Sequence, residues 1–221
     1  MEHLAGFVTP ERLGQMERVL DSRTRFITVV LENIFHSHNA SAVIRSCDCF
    51  GVQDVHIIEG LYKFKTNLGI AKGADNWLSL SSYNQGVGEE PAKDCLQQLK
   101  ARGYRIVATA LSEGSVPIQD LPVDQKIALC YGTEDTGLSD TILSLADTRV
   151  KIPMFGFTQS LNISVSVALS LNELSKRIRG EHSDWQLSEE ERQEIKFNWL
   201  CQSVRNAKAI MDRFLQERSV G

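Results

Sequence analysis

Gly132-Thr133-Glu134-Asp135-Thr136-Gly137-Leu138-Ser139 sets two glycines and two carboxylates directly after an apolar run, one residue short of a phosphate-binding loop, G-x-x-x-x-G-K-[ST]. The lysine such a loop requires is Leu138, and Glu134 and Asp135 would repel a polyphosphate. Nucleoside triphosphate hydrolysis is therefore disfavoured. The glycines still demand a tight turn with backbone close to something, which an ordinary β-α turn and a ligand loop both satisfy. A second polar cluster, Ser160-Leu161-Asn162-Ile163-Ser164-Val165-Ser166, follows Pro153-Met154-Phe155-Gly156-Phe157. Serine and asparagine at a helix start are ordinary caps, and their density here equally suits a binding loop that feeds a helix N-terminus. His36-Ser37-His38 beside Asn39 has no acidic or thiol partner at ligand spacing, so no metal is expected. The 5 cysteines contain no C-x-x-C pair and read as free thiols. No G-x-G-x-x-G follows any strand, so a cofactor would be held by something other than the dinucleotide fingerprint.

The elements that must position these residues alternate. Phe26 to Leu31 is a continuous β-branched run, as expected of a strand buried on both faces of a parallel sheet. The signal returns at Val55 to Ile58, Arg105 to Thr109, Ile127 to Tyr131 and Val150 to Ile152, with helical patterns near Ala40 to Phe50, Pro91 to Arg102 and Leu161 to Arg179 between them. That order predicts an α/β sheet with helices on both faces. Before it, Thr9-Pro10-Glu11 supplies an N-cap, an N1 proline and a first-turn acid, with Leu13, Met16 and Leu20 on one helical face. After Arg179-Gly180 a polar linker leads to Ser188-Glu189-Glu190-Glu191, a capping box opening one C-terminal helix. Phe197, Leu200, Val204, Ala207, Met211 and Phe214 give that helix heptad spacing, the seam of a packing arm. The expected organisation is a helical extension over 1–24, an α/β domain over 25–180 and a helical extension over 181–221.

Three segments, in order, resemble the TrmH branch of the SPOUT RNA 2′-O-ribose methyltransferases. Asn39-Ala40-Ser41-Ala42-Val43-Ile44-Arg45 is similar to the family's N-x-x-x-x-x-R motif, and the helix it opens ends at a glycine, Gly51. The Gly132–Ser139 segment resembles its G-x-E-x-x-G-[LV]-S loop. Ile152-Pro153-Met154-Phe155-Gly156-Phe157-Thr158-Gln159-Ser160-Leu161-Asn162-Ile163-Ser164 is close to I-P-M-x-G-x-x-x-S-L-N-V-S. Each alone is weak; together, each of the last two behind a strand, they are specific. The resemblance covers roughly Ile27 to Arg179 and implies a mostly parallel SPOUT sheet with a deep trefoil knot around Tyr131 to Leu161, an exception to unknotted connectivity. It implies S-adenosyl-L-methionine as cofactor, held near Thr109, Leu111, Gly132, Ile152, Met154, Ser160 and Leu161. It implies a homodimer, with Arg45 and Asn39 of one subunit facing the cofactor of the other. The implied catalytic set is Arg45, Asn39, Glu134, Ser160 and Asn162, with Glu134 orienting Arg45 or shaping the pocket. Arg45 serves as general base in the family's proposed mechanism. A guanidinium keeps its proton, so positioning a phosphate and stabilising the developing alkoxide stays open as its role.

The 221 residues, 42% hydrophobic and 24% charged, suit one α/β domain with short appendages. The apolar runs are strand-length, and no signal peptide is evident at the start, so a cytoplasmic protein without a membrane span is expected. A net charge of −4 does not advertise a polyanion partner, so RNA binding needs a local concentration of cations. Arg12, Arg18, Arg23 and Arg25, with Arg205, Lys208 and Arg213, are the expected set, and Lys63, Lys65 and Lys72 the reserve. Transfer RNA is the expected substrate, at a D-loop guanosine by the closest likeness. Only about two dozen residues precede the first strand, too few for the separate RNA-binding domain usual in ribosomal RNA enzymes of this type. The alternatives are the same reaction on ribosomal RNA and a catalytically silent RNA-binding knot protein.

Overall fold

The computed structural model describes residues 1–34, 36–60, 71, 73–182 and 184–219. The chain divides into two compact units, one of residues 24–185 and one that joins residues 1–23 to 186–221.

The larger unit is built on a seven-stranded, all-parallel sheet. Its strands are β1 (Ile27–Glu32), β2 (Asp54–Ile58), β3 (Ser79–Tyr83), β4 (Arg105–Thr109), β5 (Val116–Pro117), β6 (Ile127–Tyr131) and β7 (Thr148–Lys151), in the spatial order β3-β2-β1-β6-β4-β7-β5. The helices are α3 (Ser37–Cys49), α4 (Glu90–Ala101), α5 (Asp140–Leu145) and α6 (Ile163–Glu181), after α1 (Glu2–Ala5) and α2 (Pro10–Leu20) of the other unit.

Every residue of β1, β2 and β6 is buried, which is why these stretches carry no polar alternation. Val29 pairs with Val55 on one side and Leu129 on the other. Val29, Leu31, Leu129 and Tyr131 pack with Val43, Ile44, Val167 and Leu171 of α3 and α6. Their neighbours Val30, Ala128 and Cys130 join Leu96, Leu99 and Ile142 of α4 and α5 in a second core. The period-2 alternation of side chains thus feeds two cores at once.

The edges depart from the sequence expectation. Ser79-Leu80-Ser81-Ser82 forms strand β3 with an exposed middle, so it lacks the apolar run that marks a buried strand. At the other edge Pro117 ends the two-residue β5, a position where a missing N–H costs little. Helix α6 runs through Gly180 to Glu181. Glu181, His182, Asp184 and Trp185 belong to the sheet's unit, not to a linker, because Arg179 stacks 4.2 Å over Trp185 and Thr24 donates to the Trp185 carbonyl.

The smaller unit packs α1 and α2 with α7 (Glu189–Ser203) and α8 (Ala207–Ser219). Thr9 caps α2 and the Ser188–Glu191 capping box opens α7, as their spacing predicts. The single C-terminal helix of the sequence reading is instead two. Asn206, at φ 60°, turns the chain after Val204, so the heptad phase ends there and Ile195, Trp199 and Leu200 carry the α7 core. Glu17 pairs with Lys196 and Arg192, closing α2 onto α7.

Candidate active site

Parallel strands deliver their C-terminal ends to one edge of the sheet, where α/β proteins bind ligands. At that edge lies a cleft of about 440 Å³ bordered by the segments after β4, β6 and β7. Thr109, Leu111, Gly132, Ile152, Met154, Ser160 and Leu161, the seven positions expected to hold a cofactor, all line it. The Thr109 hydroxyl donates to the Cys130 carbonyl at 2.8 Å, tying β4 to β6 beneath the cleft.

The loop after β6 shows why its glycines are there. A Cβ on Gly132 would meet the Gly137 carbonyl oxygen at 2.0 Å and carbon at 2.1 Å. Thr133 and Gly137 exchange two backbone hydrogen bonds across this closure, and Gly137 sits at φ +72°. The far end is anchored by Glu32, a buried carboxylate at the end of β1 that accepts from Ser139 N at 2.8 Å and Ser139 Oγ at 2.6 Å. Ser139 Oγ in turn caps α5. Sequence reasoning passed over Glu32; its signal was a lone acid terminating an apolar strand.

Between these anchors Glu134 is presented outward. Its Oε1 accepts from Asn39 Nδ2 at 3.0 Å, Asn162 Nδ2 at 2.6 Å and the Ile163 N–H at 3.3 Å. The carboxylate therefore sits on the N-terminus of α6, where its charge is favoured. Asn162 also caps α6, its Oδ1 accepting from Ser164 N at 2.9 Å, and its Nδ2 reaches Asn39 Oδ1 at 3.1 Å. Three expected catalytic residues, Asn39, Glu134 and Asn162, meet in this cluster, and Ser160 lies on the cleft wall.

Arg45 is not among them. It is exposed, about two turns along α3 from Asn39, and its guanidinium makes no hydrogen bond or ion pair among the described residues. Glu134 is thus held by Asn39 and Asn162, not by Arg45. Asn39 lies in the first turn of α3. Its amide bonds its own chain's Glu134, because α3 leaves β1, the sheet neighbour of β6.

The expected RNA-binding cations are not equivalent. Arg23 is 1% exposed, with its guanidinium 5.6 Å over the Trp199 ring, so it is a core residue of the helical unit. Arg25 is half-buried and paired with Asp54 at 3.1 Å. Arg18, Arg205, Lys208 and Arg213 are exposed and Arg12 half-buried. Lys63, Lys65 and Lys72 lie outside the described residues. Among the described residues no three His, Cys, Asp or Glu side chains gather as metal ligands would, and no helix is long and apolar enough to cross a membrane.

A parallel sheet whose strand ends enclose such a cleft, closed by a glycine loop in place of a dinucleotide fingerprint, defines a ligand-binding α/β protein. The chain belongs to the SpoU rRNA Methylase family, whose model matches residues 26–172. It is 42% identical over 207 residues to a tRNA (guanosine(18)-2′-O)-methyltransferase of Borreliella burgdorferi, covering 94% of this chain and 92% of that one. A protein of the same description from Thermus thermophilus is 33% identical over 194 residues, covering 87% and 97%. The crystal structure of an A. aeolicus TrmH/SpoU tRNA modifying enzyme matches with a TM-score of 0.78 at 33% identity, covering 89% of this chain and 98% of that one.

Proposed function

We propose that this protein is an S-adenosyl-L-methionine-dependent tRNA (guanosine-2′-O-)-methyltransferase that modifies a D-loop guanosine, position 18 in the numbering its relatives carry, and works as a cytoplasmic homodimer. One observation carries the reading. Asn39, Glu134 and Asn162 come from three distant stretches of chain and meet on a carboxylate that lines the same cleft as all seven expected cofactor positions. A cleft of about 440 Å³ is in the range of small-ligand sites, and its lining mixes apolar Ile118, Val150, Ile152 and Met154 with the polar Thr109, Ser112 and Ser160. The fit to an adenosyl ligand is therefore good. The match to nearly the whole length of the tRNA enzymes favours tRNA over ribosomal RNA.

Bound there, S-adenosyl-L-methionine supplies an electrophilic methyl carbon on its sulfonium. Transfer of that methyl to the ribose 2′-oxygen would release S-adenosylhomocysteine, with the hydroxyl proton passing to solvent. Glu134, fixed by three donors, sets the position of the loop against the ribose, with Asn39 and Asn162 as its supports. Arg45 supplies positive charge to a substrate phosphate and the developing alkoxide from the exposed side of α3. Leu161, just before α6, and Val165 and Leu169 on it are 36, 44 and 45% exposed, and Phe155 and Phe157 of the preceding loop are 98 and 107% exposed. Patches of this kind mark interfaces, and this one supports the homodimer. We further propose that residues 131–161 form the family's knot and that Arg12, Arg18, Arg205, Lys208 and Arg213 contact tRNA phosphates.

Labelled S-adenosyl-L-methionine and unmodified tRNA test the reading, with the methylated ribose mapped by nucleotide. Transfer to a D-loop guanosine is expected; transfer to ribosomal RNA alone, or to neither, would overturn it. Arg45→Ala should lower turnover about 100-fold while leaving cofactor affinity unchanged.

A further inference from the structure

Four of the residues that line the cleft have side chains that titrate: Tyr131, Glu134, Asp135 and Lys151. Methyl transfer to a hydroxyl frees a proton, and a group held beside the reacting oxygen speeds the reaction by accepting it. Tyr131 is 2% exposed and burial holds its phenol well above the ordinary range, so it stays neutral. A lysine ammonium and the guanidinium of Arg45 donate hydrogen bonds and accept none. His36 and His38, before and within the first turn of α3, do not line the cleft. Two carboxylates are left, and the fold treats them differently. Asp135 is exposed and its carboxylate makes no hydrogen bond or ion pair among the described residues, so nothing aims it.

Glu134 is aimed, and through one oxygen only. Its three donors, Asn39 Nδ2, Asn162 Nδ2 and the Ile163 N–H, all converge on Oε1. Among the described residues no donor reaches Oε2, in a side chain that is exposed and lines the cleft. One oxygen thus anchors the group while the other keeps its lone pairs open in a fixed direction. We propose that Glu134 Oε2 is the general base that accepts the ribose 2′-hydroxyl proton. In that step the O–H bond breaks and an H–Oε2 bond forms. The electron pair stays on the 2′-oxygen, which takes the methyl group, and Glu134, now a neutral acid, returns the proton to solvent. A free ribose hydroxyl is too weak an acid for a carboxylate, but it becomes a strong one as its oxygen is methylated, so the proton moves late. Arg45 then keeps its proton and its electrostatic role. The step rests on the methyl-transfer reading given under Proposed function.

Glu134→Gln keeps the size of the side chain and an acceptor oxygen for all three donors, and replaces Oε2 with an amide nitrogen that cannot take a proton. The test is single-turnover methyl transfer to unmodified tRNA at saturating S-adenosyl-L-methionine, beside calorimetric binding of S-adenosylhomocysteine and the melting temperature of the ligand-free protein. The variant's rate should fall on the order of 100-fold or more, while affinity and melting temperature hold at wild-type values. Between about pH 7 and 9 its residual rate should climb about tenfold per pH unit as hydroxide takes over, and the wild-type rate should level off. The titratable neighbours are common to both proteins: His38 beside Asn39, Asp135 in the loop and Lys151 on the lining, with α6 adding only uncharged Asn162 and Ile163. A variant rate within about threefold of wild type would overturn the proposal. A variant profile that stays flat with pH would overturn it too, leaving Glu134 a fixed charge. So would a rate loss matched by falls in affinity and melting temperature, which would make Glu134 a loop anchor alone. Wild-type protein that transfers no methyl group to RNA would overturn the reading of function and this inference with it.

Discussion

Two loops border the same cleft, and they are held in opposite ways. Residues 132–139 are fixed at one end by the Gly132–Gly137 closure, at the other by the buried Glu32 carboxylate, and in the middle by Asn39 and Asn162. Residues 153–161 make no hydrogen bond among the described residues and expose both of their phenylalanines. The first loop is preorganised by its own chain, which is how a site avoids the entropic cost of assembling itself at each turnover. The second leaves its shape to whatever covers it, a ligand or a second subunit. The difference predicts that substitutions in the first loop act on stability and ligand affinity together, while those in the second act on association.

The strongest test of that division is Gly132→Ala. Its Cβ would fall about 2 Å from Gly137 backbone, which cannot yield as a flexible side chain could. S-Adenosylhomocysteine binding should drop 100-fold or more, and the fold should lose on the order of 3 kcal/mol, measured by calorimetry and urea unfolding. Near-wild-type binding would mean that the closure is not what shapes the cleft.

Acid provides a reference away from both loops. His56, buried in β2 against Tyr83, is lowered to about 4, chiefly by burial. The unfolded chain therefore takes up its proton first. The stability tied to a neutral His56 is complete above pH 6.5 and is lost as pH falls from there towards 4, by about 3 kcal/mol. Urea midpoints of wild type and His56→Gln across pH 4–7 should converge on the acid side. Parallel curves would refute the assignment.

Glu32→Ala should cost about 1–3 kcal/mol, because the Ser139 N–H loses a charged acceptor in a partly buried position. Ligand affinity should fall with it if the loop is one preorganised piece. Phe157→Ser should give the smallest change in unfolding free energy, within about 0.5 kcal/mol at protein concentrations where the chain is monomeric. Its effect should appear in sedimentation, as weaker self-association. A large loss of monomer stability would show that the second loop packs on its own chain after all.

Local chemistry was legible wherever the determinant lay within a few residues. The runs at Arg105–Thr109 and Ile127–Tyr131 became strands with those bounds, and Thr9, Ser188 and Glu191 cap as their spacing says. The tight closure at Gly132 was also readable, as two glycines after a buried strand, though not what would approach it. By itself the sequence thus determined the layered α/β class, the loop and the motifs that tie the chain to its family. Only the tertiary structure decided that β6 inserts between β1 and β4, since sheet order is absent from local periodicity. That insertion brings Asn39 to Glu134 across 95 residues and Asn162 to it across 28. It likewise decided that Ser79–Tyr83 pairs as an edge strand, that the terminal helix breaks at Asn206, and that Arg23 lies in a core while Arg18 faces solvent. In each case the deciding contact is with a residue far along the chain, and a one-dimensional pattern holds the preference of each segment but not the partner that settles it.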